Sequence, residues 1–440
     1  MKTLLQNGGS INFTAGSLSY FGNLTVGTGG LLGTNLTLES NRQLTLSGTT
    51  MIDAGRTLAL DGGTLSTGSL VVNGAFHFDR GTLEITGGTI SGLGNLTVAT
   101  NGEFRASGVQ ALQIIGLTGS TITATGNLTL GDATKVNGFY GAGTLQVGQR
   151  TVTLADANDA VLDSAALVTL GAGGSPGTLA AANGLTLDFG GNLTGFGTVD
   201  TPDNIATPFT NNGHIAGNSA AEPITLTGHV RGVGTLDNVV ITGSDAPGFS
   251  PATVVRGSVD YSGSLEIEIG GESTGSFDRL EHLLGAGVAD LGGSLVVSLI
   301  VGFAPQLGDS FEFLTAIGGV NGTFASETLP TLAAGLGWNV DYGATSVALR
   351  VVAGFAADFD DDGDVDAEDL AQWQGDFGVN SLSDADDDGD SDGADFLQWQ
   401  RQVGSAPTVA ATTAVPEPAS LVLLGIGAVW SLMGRARSQK

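Results

Sequence analysis

The residues best placed to do chemistry lie in one short stretch. Between Asp358 and Asp395 there are 16 acidic residues and no Lys or Arg, out of 44 Asp and Glu in a chain of 440. They follow a pattern. Asp358, Asp360, Asp362, Asp366 and Asp369 hold positions 1, 3, 5, 9 and 12 of a twelve-residue segment, with Gly363 at position 6. Asp384, Asp386, Asp388, Asp392 and Asp395 repeat that spacing 26 residues later, with Gly389 at the turn. Alternate carboxylates on a tight loop converge on one point, and calcium, a hard cation, takes six to eight oxygens. The pattern therefore predicts two Ca2+ sites, with position 7 (Asp364, Asp390) supplying its backbone carbonyl. The second site is expected to be the weaker. Ser391 stands where the first copy has Val365, and Gly393 loosens position 10. Crowded carboxylates repel one another, so metal binding is expected to be coupled to folding.

Something must hold each loop in place. Leu370, Trp373 and Phe377 return as Phe396, Trp399 and Val403 at the same offsets, the spacing of one helix face. Gln374 matches Gln400, and Gly378 matches Gly404. This duplicated loop-plus-helix unit, residues 355–405, resembles a dockerin, a small α domain of paired EF-hand-type loops. The resemblance implies docking onto a cohesin-like protein, often within polysaccharide-degrading assemblies. It also implies that positions 10 and 11, here Ala367-Glu368 and Gly393-Ala394, help select the partner. Asp at position 12 departs from the usual Glu in a way that dockerins tolerate.

Most of the chain is of another kind. It has 72 Gly, no Cys, 13% charged residues and a formal net charge of −29. Fifteen Lys and Arg are too few for a phosphate-binding surface, so nucleic acid is excluded as a partner. The lack of Cys excludes disulfides, thiolate zinc sites and a Cys nucleophile. From about residue 8 to 243, apolar pairs such as Leu58/Leu60, Leu70/Val72, Phe76/Phe78 and Leu83/Ile85 recur about every 6.6 residues. Gly, Asn and Asp separate them, as turn residues do. Strands so short cannot fold alone. Three per coil give a rung of roughly 20 residues, and stacked rungs close an apolar interior.

Repeated phrases support stacking. Gly22-Asn23-Leu24-Thr25-Val26 returns at Gly94–Val98, and Gly-Thr-Leu begins at Gly63, Gly81, Gly143, Gly177 and Gly234. These segments resemble the Gly/Thr/Asn-rich β-repeats of bacterial autotransporter-type surface proteins. The expected fold is mainly β: a right-handed parallel β-helix over residues 1–243, in roughly a dozen rungs. Residues 244–353, with longer strands such as Leu265/Ile267/Ile269, are expected to form a β-rich C-terminal cap. Residues 406–414 read as a linker.

Residues 415–440 complete the chain. Pro416-Glu417-Pro418 precedes an apolar run, Ala419–Met433, and then Arg435 and Arg437. This order resembles the PEP-CTERM sorting signal. The resemblance implies a C-terminal hydrophobic helix, inner-membrane anchoring, processing by an exosortase-type enzyme, and a cell-surface or extracellular destination. Met1–Gly9 lacks an apolar core long enough for a signal peptide, so the expectation is a truncated start.

No catalytic constellation stands out. His77, His214, His229 and His282 lack metal-ligand spacing and read as surface or turn residues in β segments. Glu266 and Glu268 share one strand face and mimic a carboxylate dyad. The leading expectation is an exported structural or adhesive solenoid with a calcium-dependent docking module. The alternative is a polysaccharide-binding or polysaccharide-degrading component, and any activity would be that of a carbohydrate-active hydrolase or lyase.

Overall fold

Short apolar pairs separated by turn residues can pair only with distant strands, and that is what the chain does. The computed structural model describes residues 11–405, apart from 250, 301, 334–335, 361–363 and 387. The chain divides into two units. One comprises Met1–Pro305, Asp309–Leu332 and Trp338–Arg350; the other comprises Gln306–Gly308, Ala333–Gly337 and Val351–Lys440.

The first unit is a parallel β-solenoid of about 12 turns. An 11-stranded ladder runs from Asn95–Val98 to Ser326–Thr328, and a 4-stranded ladder runs from Leu24–Val26 to Ile90–Ser91. The remaining strands join into one large sheet, because long strands such as Thr57–Thr67 and Ala75–Ile85 pair on both sides of a corner. Partners lie one coil apart, as Leu65 and Leu83 do.

The core follows from this register. Leu44, Leu65, Leu83, Phe104, Ile122, Leu145, Val168, Leu193, Ile215 and Leu236 pair in succession along one ladder. All ten are buried. The period-two pattern turns every second residue inward, so stacking produces a continuous apolar column.

Two features differ from the sequence expectation. The parallel ladders do not stop at residue 243. Thr253–Arg256, Arg279–His282 and Ser310–Ala316 continue one face, and Ser264–Ile269 and Ser294–Leu299 continue another. Longer strands do not signal a new domain, because they keep the same period and the same inward face. Among the described strands, apart from isolated bridges, antiparallel pairing appears where Ser346–Ala353 returns beside Ser310–Ala316, joining Phe311 to Leu349. That return strand covers one edge of the last coil.

The second difference is inside the column. Leu236 pairs with Arg256, and Arg256 with His282. On the neighbouring ladders Val230 pairs with Asp245 and Ile241 with Tyr261. All three apolar positions thus become polar one coil later, making a polar layer across the interior. Arg256 Nη2 lies 3.3 Å from Asp245 Oδ1, with both side chains almost fully buried. Arg256 Nη1 donates to the Gly234 carbonyl at 2.7 Å.

The second unit contains the helices Ala367–Asp376 and Gly393–Gln402. Its core is Ala357, Phe359, Val365 and Ala385, with Phe355, Trp373 and Trp399 packed against them. Among the described residues no helix is long and apolar enough to cross a membrane.

Candidate metal centre

Both helices begin at the ninth position of an acidic loop. Asp366 caps the first by accepting from Glu368 N at 2.8 Å, and Asp392 caps the second by accepting from Ala394 N at 2.6 Å. Position 12 completes each capping box: Asp369 accepts from Asp366 N at 2.7 Å, and Asp395 accepts from Asp392 N at 2.6 Å. Acidic side chains in the first turn also suit the positive end of the helix.

Asp369 and Asp395 are fully buried. Asp369 Oδ1 accepts from Phe359 N at 2.5 Å and Asp360 N at 3.3 Å; Asp395 Oδ1 accepts from Ala385 N at 2.6 Å and Asp386 N at 3.3 Å. The position-12 carboxylate therefore ties the start of its own loop to the start of the following helix. Three N–H bonds leave about one of its roughly four lone-pair sites for a cation.

The helices stop earlier than the side-chain pattern suggests. Phe377 and Val403 are C-caps, 51% and 47% exposed, rather than members of a buried face. Gly378 and Gly404 follow at φ +64° and +81°, the left-handed conformation that ends a helix. Gly378 N donates to Ser391 O at 2.9 Å, and Gly404 N donates to Val365 O at 2.7 Å. The two copies exchange a second pair of bonds. Trp373 Nε1 donates to Asp392 O at 2.9 Å, and Trp399 Nε1 donates to Asp366 O at 2.7 Å. Each tryptophan thus holds the other copy's loop. Phe396 stacks between them, with ring centroids 4.9 Å from Trp373 and 5.7 Å from Trp399.

Potential ligand atoms converge in three groups, each within 4.8 Å: Asp358, Asp360 and Asp369; Asp384, Asp386 and Asp395; and Asp388, Asp390 and Asp392. An all-oxygen donor set of this kind fits a hard divalent cation. Asp384 accepts from Asp388 N and Gly389 N at 3.1 and 2.8 Å, which folds the second loop around its first carboxylate. Gly389 there adopts φ +98°. The Asp390 carboxylate lies with those of Asp388 and Asp392. Asp362 lies outside the described residues, and Asp364 falls in none of the three groups.

The electrostatics match this crowding. Some desolvation, then Asp388, Asp395 and Asp384, hold the Asp386 carboxyl above its ordinary value. Asp388 does the same to Asp390. A hydrogen bond to Asp366 raises Glu368. Ser391, the departure at position 8, is buried, and its hydroxyl accepts from Ser383 N at 3.1 Å.

Elsewhere the histidines are not uniformly superficial. His77 is exposed and His214 half-buried, but His229 and His282 are buried. His282 Nδ1 faces Gly257 O at 2.7 Å, Nε2 faces the Tyr261 hydroxyl at 3.1 Å, and burial lowers its pKa to about 4. His282 occupies an inward position on a ladder that runs from Leu236 through Arg256 to Ala316, whereas His229 pairs with Ser244 beside the core residue Val230 and lies 3.7 Å from Glu266. For His282, a polar residue in phase with inward apolar positions is the signal that sequence reading could have used.

Residues 414–438 match the PEP-CTERM protein-sorting motif. The match covers the tail alone, including Pro416, Glu417, Pro418, Arg435 and Arg437, all outside the described residues. The motif implies an exported, membrane-associated protein processed by an exosortase-type enzyme. No curated protein and no solved structure matches the chain.

Proposed function

We propose that residues 355–405 form a calcium-dependent docking module of dockerin type, carried by an exported β-solenoid that serves as its structural body. The observation that supports this reading is the internal duplication. Two acidic loops each end in a fully buried position-12 carboxylate, and two tryptophans cross-brace them. Asp358, Asp360 and Asp369 would hold one Ca2+; Asp384, Asp386, Asp388 and Asp395 would hold the other. The bound cation would neutralise carboxylates that otherwise repel, and so stabilise the helices that the loops cap. The partner would be a cohesin-like protein reading exposed apolar side chains on and just after the helices, Phe377, Val379 and Leu397 among them.

The test is a calcium titration of the 355–405 fragment, following Trp373 and Trp399 emission and far-UV circular dichroism. Helicity should rise and the indoles should become shielded. Signals that stay flat up to ~10 mM calcium, beyond the range of weak extracellular modules, would refute the assignment.

A further inference from the structure

The solenoid carries its own groove of converging polar groups. It lies on the 11-stranded ladder, where Val161 pairs with Thr186, Thr186 with Thr210, Thr210 with Arg231, and Arg231 with Ala246. Leu185, Leu187, Phe209 and Val230 alternate with these residues and fill the core, so the paired column belongs to the outer face. At ~4.8 Å per strand it extends roughly 20 Å along the coils.

Two cavities open along this column and share Arg231. The larger, about 530 Å³, is lined by Asp159, Asn183, Thr186, Thr207 and Thr210. The smaller, about 160 Å³, is lined by Phe249, Glu266, Glu268 and Asp278. Arg231 is held in both directions: its Nε donates to Thr210 Oγ1 at 3.3 Å, and its guanidinium lies 5.3 Å from the Phe249 ring centroid. Phe249 nevertheless remains 60% exposed.

An exposed ring beside hydroxyls, amides and carboxylates suits a ligand with apolar C–H faces and a hydroxyl rim. A groove that follows successive strands suits a chain of such rings. Charge narrows the choice. Among the described residues, Arg231 is the one Lys or Arg lining either cavity, set against Asp159, Glu266 and Glu268. An anionic polymer would meet like charge along much of the groove. We propose that this groove binds an extended neutral oligosaccharide, with Phe249 as stacking platform and Arg231, Asn183 and Glu266 as hydrogen-bonding groups.

The proposal is independent of the acidic loops, and EDTA in every buffer keeps the two apart. Isothermal titration calorimetry of the full chain with cellohexaose, xylohexaose, mannohexaose and maltohexaose, and with hexagalacturonate as the anionic comparison, tests it. At least one neutral hexaose should bind, and hexagalacturonate should not. Phe249→Ala and Arg231→Gln should each weaken that binding by about tenfold or more, the scale of a lost ring contact or charged hydrogen bond. Phe189→Ala, at an exposed ring lining neither cavity, should leave it unchanged. Failure of all four neutral hexaoses to bind, stronger binding of hexagalacturonate, or full affinity in both groove variants would overturn the proposal.

Discussion

Replacing Asp369 with Asn tests the link between loop, helix and metal most directly. The substitution keeps the size and shape of a fully buried side chain, so packing is preserved. It does not preserve hydrogen bonding. In the wild type one carboxylate oxygen accepts from Phe359 N and Asp360 N, and the other accepts from Asp366 N. An amide whose oxygen keeps the first two bonds turns its NH2 group toward a third N–H. That buried donor loses its partner, at ~1–3 kcal/mol, and the two surviving bonds lose their charge assistance, roughly 1 kcal/mol each. The sum is about 3–5 kcal/mol. It falls on a small unit whose folding would depend on calcium, so it should appear as a shift in the calcium requirement of roughly 10²–10⁴-fold. The amide also presents no spare oxygen lone pair to the ion. The assay is far-UV circular dichroism of 355–405 against free calcium, wild type beside Asp369→Asn. A variant whose midpoint stays within threefold of wild type would refute the reasoning, because position 12 could then be neither a ligand nor a structural tie.

Three further predictions concern other parts of the molecule. Arg256→Met alone strands the Asp245 carboxylate in the core and should cost ~3–5 kcal/mol, whereas Arg256→Met with Asp245→Leu should recover most of that loss; urea unfolding of both variants decides it. Burial pushes Asp278 up to about 7 from 3.8, so its stabilising contribution, present at low pH, declines as pH rises through that window. Burial instead lowers His282 from 6.5 to about 4, so its contribution is lost as pH falls through that range. The slopes oppose each other. Asp278→Asn should therefore leave a stability that rises more steeply with pH between about 4 and 6.5; an unchanged profile of unfolding midpoints would count against this assignment. Finally, Asp358→Ala should raise the calcium needed by the first loop more than Ser391→Ala raises that of the second. Ser391 contributes one hydrogen bond, about 1 kcal/mol, and no ligand. Comparable shifts in the two titrations would argue against position 1 as a coordinating residue.

Much of the fold is readable along the chain because its signals are local. A strand such as Leu24–Val26 announces itself by alternation, and Gly378 and Gly404 mark helix ends because only residues that tolerate positive φ end helices in this way. The acidic loops are equally readable, since ligand spacing within twelve residues is a property of one short segment. The end of the solenoid was not. Residues 244–328 keep the same inward period as the earlier coils, and only pairing with a preceding coil reveals that Ser264–Ile269 extends the same ladder.

Sequence alone, then, determined where strands and turns fall, the acidic-loop register and the order of the tail, because each depends on the conformational preferences or spacing of neighbouring residues. Tertiary structure decided which polar residues meet. Asp245, Arg256, Tyr261 and His282 come from three faces of the coil and form one buried layer. Thr186, Thr210 and Arg231 stand side by side on the outer face, although each is more than 20 residues from the next. Side-chain alternation fixes the face but not the neighbour; only the number of residues consumed by each coil brings a particular pair into register.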